Sequence, residues 1–241
     1  MLLKKMAGVI LVGLLANQAW ADEASLKKAI ETAYPKVPVQ SVKKTPFNDL
    51  YEVYMGGQII YTDEKFDFLL VEGRLIDSKS RRDLTAERME ELTKVDIAKL
   101  PLDQAIKVVK GNGSRKLIVF SDPDCPYCKK LERQELIGIT DVTIYTFLYP
   151  LESLHPDAAN KSRSIWCAAD RNKAWQEWIL NGQLPKAAVT CDAPIASVSE
   201  LGRKLGISST PTLIFADGRR MLGAYPAKDI EKAMAAAERR K

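Results

Sequence analysis

Histidine is almost missing from these 241 residues: His155 is the only one. A Ser-His-Asp or Cys-His nucleophilic site, or a histidine-rich metal centre, would rest on that residue alone, and those classes are set aside. An excess of one charge is also lacking. Lys and Arg number 36 against 31 Asp and Glu, a net charge of +5. The positive residues are dispersed, so nothing points to nucleic acid. There are no internal repeats and no low-complexity tracts. With 46% hydrophobic and 28% charged residues, disorder and collagen-like architectures are excluded, and the length allows one or two domains. No phosphate cradle is found either: Gly111-Asn112-Gly113 lacks the Lys-Ser/Thr and the following helix of a P-loop.

The longest apolar run is at the front. Lys4 and Lys5 precede Met6 to Leu15, and Ala19-Trp20-Ala21 follows. A basic start, a short apolar run and small residues at the two positions a signal peptidase reads predict a secretory signal cleaved after Ala21. The run is too short for an anchor, since a span needs about 20 apolar residues. No later segment reaches that length, so stable membrane insertion is not expected. Removal of Lys4 and Lys5 leaves a mature charge of about +3. The compartment is then outside the cytoplasm, where disulfides persist.

The chain has four cysteines, Cys125, Cys128, Cys167 and Cys191, which allow three connectivities. A zinc ribbon requires two close Cys-x-x-Cys pairs, and only the first pair is close. Cys125-Pro126-Tyr127-Cys128 follows Lys116-Leu117-Ile118-Val119-Phe120, a buried-strand pattern, and precedes Lys129 to Glu135, a polar stretch of helix formers. The motif is thus predicted at a strand-to-helix turn, with Cys125 at the helix start and Pro126 in the first turn. Free N–H groups there favour an anion, so the Cys125 pKa should fall and its thiolate should attack disulfides. Cys128, one turn on and more buried, can resolve the mixed disulfide. A structural bond at this spacing would close almost no loop. Cys167 lies in a helical pattern that runs on through Trp175, Trp178 and Ile179, and Cys191 follows a loop-like stretch from Gly182 to Thr190. Joining them closes a loop of about 25 residues, worth about 3.5 kcal/mol, and reads as a structural disulfide. Trp166, Trp175 and Trp178 read as core.

Downstream, Ser209-Thr210-Pro211-Thr212 leads into the apolar Leu213-Ile214-Phe215 and then the turn signal Asp217-Gly218. A proline there belongs at a strand start or edge.

Together, Ser121-Asp122-Pro123-Asp124-Cys125-Pro126-Tyr127-Cys128, Ser209-Thr210-Pro211-Thr212 and Ile165-Trp166-Cys167-Ala168-Ala169-Asp170-Arg171-Asn172-Lys173-Ala174 resemble the bacterial periplasmic disulfide isomerases of the DsbC/DsbG type. The likeness spans most of the mature length. It implies a thioredoxin-fold catalytic domain with a helical insertion, preceded by a small α+β (cystatin-like) dimerisation domain and a linker helix. Cys125 would be the nucleophile, Cys128 the resolving thiol, and Pro211 a cis-proline with Thr210 before it, presenting a backbone edge to an extended client. Cys167 and Cys191 match the DsbC type's structural pair, whereas Pro126-Tyr127 is nearer the DsbG pattern.

The expected layout is a signal at 1–21, a dimerisation domain at 22–82, a linker helix at 83–105 and the catalytic domain at 106–241, with an insertion at about 152–205. In the front domain, Ser25 to Thr32 is a helix pattern with Leu26, Ala29 and Ile30 on one face. Leu50–Met55, Gln58–Thr62, Phe66–Val71 and Leu75–Asp77 are strand patterns. About 60 residues without cysteine make a thin core, which oligomerisation can remedy. The resemblance agrees, implying a V-shaped homodimer. Leu84 to Lys99 is helix-forming, with Thr85 lacking a full capping box and Pro101 as the stop. The basic Ala233–Lys241 tail reads as an exposed helix end.

The expected activity is isomerisation or reduction of non-native disulfides in exported proteins. No cofactor or metal is required, and the family implies a membrane reductase of the DsbD type as electron source. The alternatives are a DsbG-like reductase of sulfenylated or misoxidised thiols, a dithiol oxidase and a chaperone.

Overall fold

The computed structural model describes residues 18–185 and 191–239. Most of the expected signal segment lies outside them. The chain divides into two compact units, up to Met89 and from Glu90 onward.

In the first unit, α1 (Gln18–Ala33) packs on an antiparallel sheet of β1 (Val39–Lys44), β2 (Tyr51–Met55) and β3 (Gln58–Thr62), in the order β1-β2-β3. Leu26 and Ile30, one helical turn apart, are buried, while Ala29 is exposed rather than part of the expected face. Alternation along β2 buries Tyr51, Val53 and Met55. β1 is absent from the sequence reading for a definite reason. A bulge between Val39 and Ser41 lets residues three apart, Val39 and Val42, both face the core, so the period of two is broken. The expected strands at 66–71 and 75–77 do not form ladders. They make only the isolated bridges Tyr61↔Leu70 and Ile76↔Asp83, and Phe68, Leu70, Val71 and Ile76 stay exposed.

Helix α2 (Leu84–Leu92) is capped by Asp83, whose carboxylate accepts the Ala86 N–H at 2.8 Å. Thr85 is buried instead, its hydroxyl 2.5 Å from that of Tyr61. The predicted helix to Lys99 stops at Leu92. Val95 turns inward, and its N–H goes to the carbonyl of Gly218 at 3.0 Å rather than back along a helix. Asp96 then caps a separate 3₁₀ turn, Ile97–Lys99. Gly218 has φ +83°, and a Cβ there would lie 2.3 Å from the Val95 carbonyl oxygen, so the turn requires glycine.

The second unit holds a five-stranded sheet in the order β4-β6-β5-β7-β8. Its strands are β4 (Ile106–Lys110), β5 (Arg115–Ser121), β6 (Val142–Leu148), β7 (Thr212–Phe215) and β8 (Arg220–Leu222). β5 pairs parallel with β6 and antiparallel with β7. β4 was not anticipated, because Ile106-Lys107-Val108-Val109-Lys110 is an edge strand with Val109 exposed. β5 is buried on both faces, which explains its unbroken apolar run. Leu117 and Val119 pack with Leu213, Phe215, Ile230 and Met234 on one side. On the other, Ile118 and Phe120 pack with Phe147, Val198, Ile207 and Ile214. Helices α3 (Pro126–Lys130), α4 (Ala158–Trp166), α5 (Arg171–Asn181), α6 (Ile195–Lys204) and α7 (Ala227–Glu238) complete the unit, with α4, α5 and α6 in the segment read as an insertion.

Cys167 at the end of α4 is bonded to Cys191, their Cα atoms 5.6 Å apart. Replacing both by serine should lower the unfolding free energy by about 3 kcal/mol while leaving the reactivity of Cys125 unchanged. Urea unfolding and alkylation rates check this, and altered Cys125 chemistry would instead mark a second redox pair.

Candidate active site

Two loops meet at one end of the sheet because of strand register. β5 carries the chain out at Ser121, and β7 enters beside it with Thr212 opposite Phe120. The residues just after β5 and just before β7 therefore face each other. The Thr210–Pro211 peptide is cis, and the Thr212 hydroxyl donates to the Ser209 carbonyl at 2.7 Å, fixing the approach. Across the gap, Cys125 is the N-cap of α3 and Pro126 occupies its first turn. The Cys125 Sγ lies 3.3 Å from the Thr210 carbonyl oxygen. Beyond Lys130 the helix continues as a π-helical turn, Leu131–Glu135.

Both thiols of the pair are free and buried, but their environments differ. Cys125 is pulled down from 9.0 to about 5. A hydrogen bond with the Cys128 side chain is the main cause, followed by the Thr210 side chain and the N–H groups of Cys128 and Tyr127, against the opposing effect of burial. Cys128 is fully buried, and burial, then the neighbouring Cys125 sulfur, push its thiol far up. One sulfur is an anion near neutrality and the other is held protonated.

The loop is fixed from below and from the side. Asp122 is fully buried. Its carboxylate accepts from the N–H of Asp124 at 2.8 Å and of Leu151 at 2.7 Å, and lies 3.1 Å from His155 Nδ1. The Trp178 indole donates to the Pro123 carbonyl at 2.7 Å. Its ring lies 4.9 Å from the Lys129 ammonium and 5.0 Å from that of Lys161, and Lys161 pairs with Asp124 at 2.7 Å. Trp166 and Trp175 are buried, as expected. Trp178 is only partly so and braces the active-site loop, a role that helical spacing could not reveal. Sequence weighed His155 only as a lone catalytic or metal-binding candidate and met Asp122 only inside the motif around Cys125, and it gave neither a part in holding this loop.

Next to the pair, Tyr127, Lys130, Thr210, Leu222 and Tyr225 line a shallow cleft of about 380 Å³. Tyr127 is 63% exposed, so Pro126-Tyr127 offers an aromatic rim beside the thiol. Cys125, Cys128, Pro126, Tyr127, Thr210 and Pro211 thus come together, while Cys167 and Cys191 belong to the helical segment. Among the described residues, no group of three or more His, Cys, Asp or Glu could hold a metal, and no helix is long and apolar enough to cross a membrane.

Comparison with known proteins gives a consistent picture. Residues 17–86 match the disulfide bond isomerase protein N-terminal domain, and residues 102–238 a thioredoxin-like domain. The chain is 44% identical to the probable thiol:disulfide interchange protein DsbC of Bordetella pertussis, over 86% of this chain and 72% of that one. It is 25% identical to the thiol:disulfide interchange protein DsbC of Escherichia coli K12, over 93% and 94% of the two chains. Among solved structures, a disulfide interchange protein from Neisseria gonorrhoeae is similar at 46% identity and a TM-score of 0.55, covering 57% of this chain and 98% of that one.

The thiolate predicts a pH signature. Alkylation of Cys125 should rise with a midpoint at about pH 5, with Cys128 unreactive throughout. The depressed folded pKa also stabilises the reduced protein. That contribution is complete above the ordinary thiol pKa of 9.0 and is lost progressively as pH falls to about 5. A midpoint near 9 in the alkylation rate would refute both expectations.

Proposed function

The chain belongs to the DsbC family of thiol:disulfide interchange proteins, and from that premise we propose that it is a periplasmic disulfide isomerase working through Cys125 and Cys128. The carrying observation is the Cys125 sulfur, 3.3 Å from the carbonyl of Thr210 and lowered to about 5. Such a thiolate attacks a client disulfide, forms a mixed disulfide and releases the other client sulfur as thiolate. The intermediate then rearranges within the client, or Cys128 attacks Cys125 and leaves the client reduced. Main-chain pairing beside Thr210-Pro211 and the aromatic cleft suit clients of many sequences, bound as extended segments. Misfolded disulfide-containing exported proteins are the substrate class. A low thiol pKa favours the reduced form, which a membrane reductase of the DsbD type would regenerate.

The front unit is proposed to pair two copies. Its support is the apolar segment with Phe68, Leu70, Val71 and Ile76 exposed, which forms isolated bridges and no ladder. Sedimentation should give twice the chain mass, and charged replacements at Phe68 and Val71 should give monomers. Export with cleavage after Ala21 is checked by N-terminal sequencing, which should begin at Asp22.

Refolding a client from scrambled disulfides tests the activity. Cys125→Ser should drop recovery to the uncatalysed level, while suppression of aggregation of cysteine-free clients persists if the protein also acts as a chaperone. Wild-type recovery in the variant would defeat the isomerase reading. Acid-trapped cells should contain the pair mostly reduced, and a mostly oxidised pair favours an oxidase.

A further inference from the structure

The Cys125 environment alone does not account for the resolving step. Cys128 is fully buried and must still become a thiolate once the client is bound to Cys125. Two neighbouring groups are placed to hold that charge. The main-chain N–H of Asp122 points at the Cys128 Sγ from 3.4 Å. Ser121, the last residue of β5, is fully buried, and its Oγ makes no hydrogen bond in this structure. A buried hydroxyl without a partner is uncommon and costly, and the effect of this one on the Cys128 thiol is to favour its charged form.

We infer that the Ser121 hydroxyl and the Asp122 N–H form the anion-holding site for the Cys128 thiolate in the resolving step. The buried Asp122 carboxylate is the positioning group that keeps this N–H aimed. This rests on reading Cys128 as the resolving thiol. The inferred site also orders the two steps. While Cys125 is a free anion, its charge and its claim on the Cys128 proton oppose ionisation of Cys128. Once Cys125 is bonded to the client, that opposition ends, while Ser121 and Asp122 remain. Cys128 then loses its proton to solvent and attacks the Cys125 Sγ. The Cys125–Cys128 bond forms and the bond to the client breaks. The client sulfur leaves as a thiolate with the electron pair and takes up one proton from solvent, which balances the one lost.

The reduced protein treated with Ellman's reagent, an aromatic disulfide, separates the steps. Attack by Cys125 releases one coloured thiolate, and resolution by Cys128 releases the second. Ser121→Ala should leave the first phase unchanged and slow the second by about tenfold or more, moving the second phase's pH profile upward. Ser121→Thr should restore it. A second phase of wild-type rate in Ser121→Ala overturns the inference, as does equal slowing of both phases, which marks a purely structural role. Cys128→Ser is the control for the underlying reading. If it retains the second phase, Cys128 is not the resolving thiol; if it loses that phase while Ser121→Ala does not, only the anion site fails.

Discussion

The antiparallel pairing of β5 with β7 sets Phe120 opposite Thr212, and the chemistry depends on that register. It places the turn after Ser121 beside the turn before Thr212, so that Cys125 and the Thr210 carbonyl lie 3.3 Å apart. A slip of one residue would exchange the faces of β7. Leu213 and Phe215 would leave one core and Ile214 the other. Since β7 is buried on both sides, such a slip costs hydrophobic contact on two faces at once, and the geometry of the site is in effect held by the packing of the whole sheet.

From that geometry follows the division of labour between the two sulfurs. At the helix start Cys125 meets N–H groups that favour an anion, whereas Cys128, one turn on, is fully buried beside that same anion. The difference in acidity is therefore reciprocal: each thiol owes part of its shift to the other. Covalent capture of Cys125 would remove its part in the Cys128 shift.

What could be read from sequence follows the same logic. The Cys-x-x-Cys turn and the Thr-Pro strand entry were legible because local rules fix them: a proline in the first helical turn, an apolar run before it and a turn signal after β7. The buried core of the second unit was legible in Leu117 to Phe120 for the same reason. β1 was not, because its bulge places Val39 and Val42 on one face at a spacing that imitates neither strand nor helix. β4 was hidden as an edge with lysines at both Lys107 and Lys110. The end of α2 escaped because its cause is remote: the Gly218 carbonyl draws the Val95 N–H away, and nothing near residue 95 announces it. The capping role fell to Asp83 rather than Thr85 because the Thr85 hydroxyl was needed at Tyr61.

The helical segment between β6 and β7 is more than filling. α4 supplies Lys161 to Asp124, and α5 supplies Trp178 to the Pro123 carbonyl, so both residues between Asp122 and Cys125 are gripped from outside the sheet. Ring and ammonium groups reinforce one another there, because Lys161 faces the Trp178 ring and the Asp124 carboxylate together. The Cys167–Cys191 bond ties the end of α4 to the residues just ahead of α6. Of the two helices that brace the reactive loop, α4 is thus also held by a disulfide at its end.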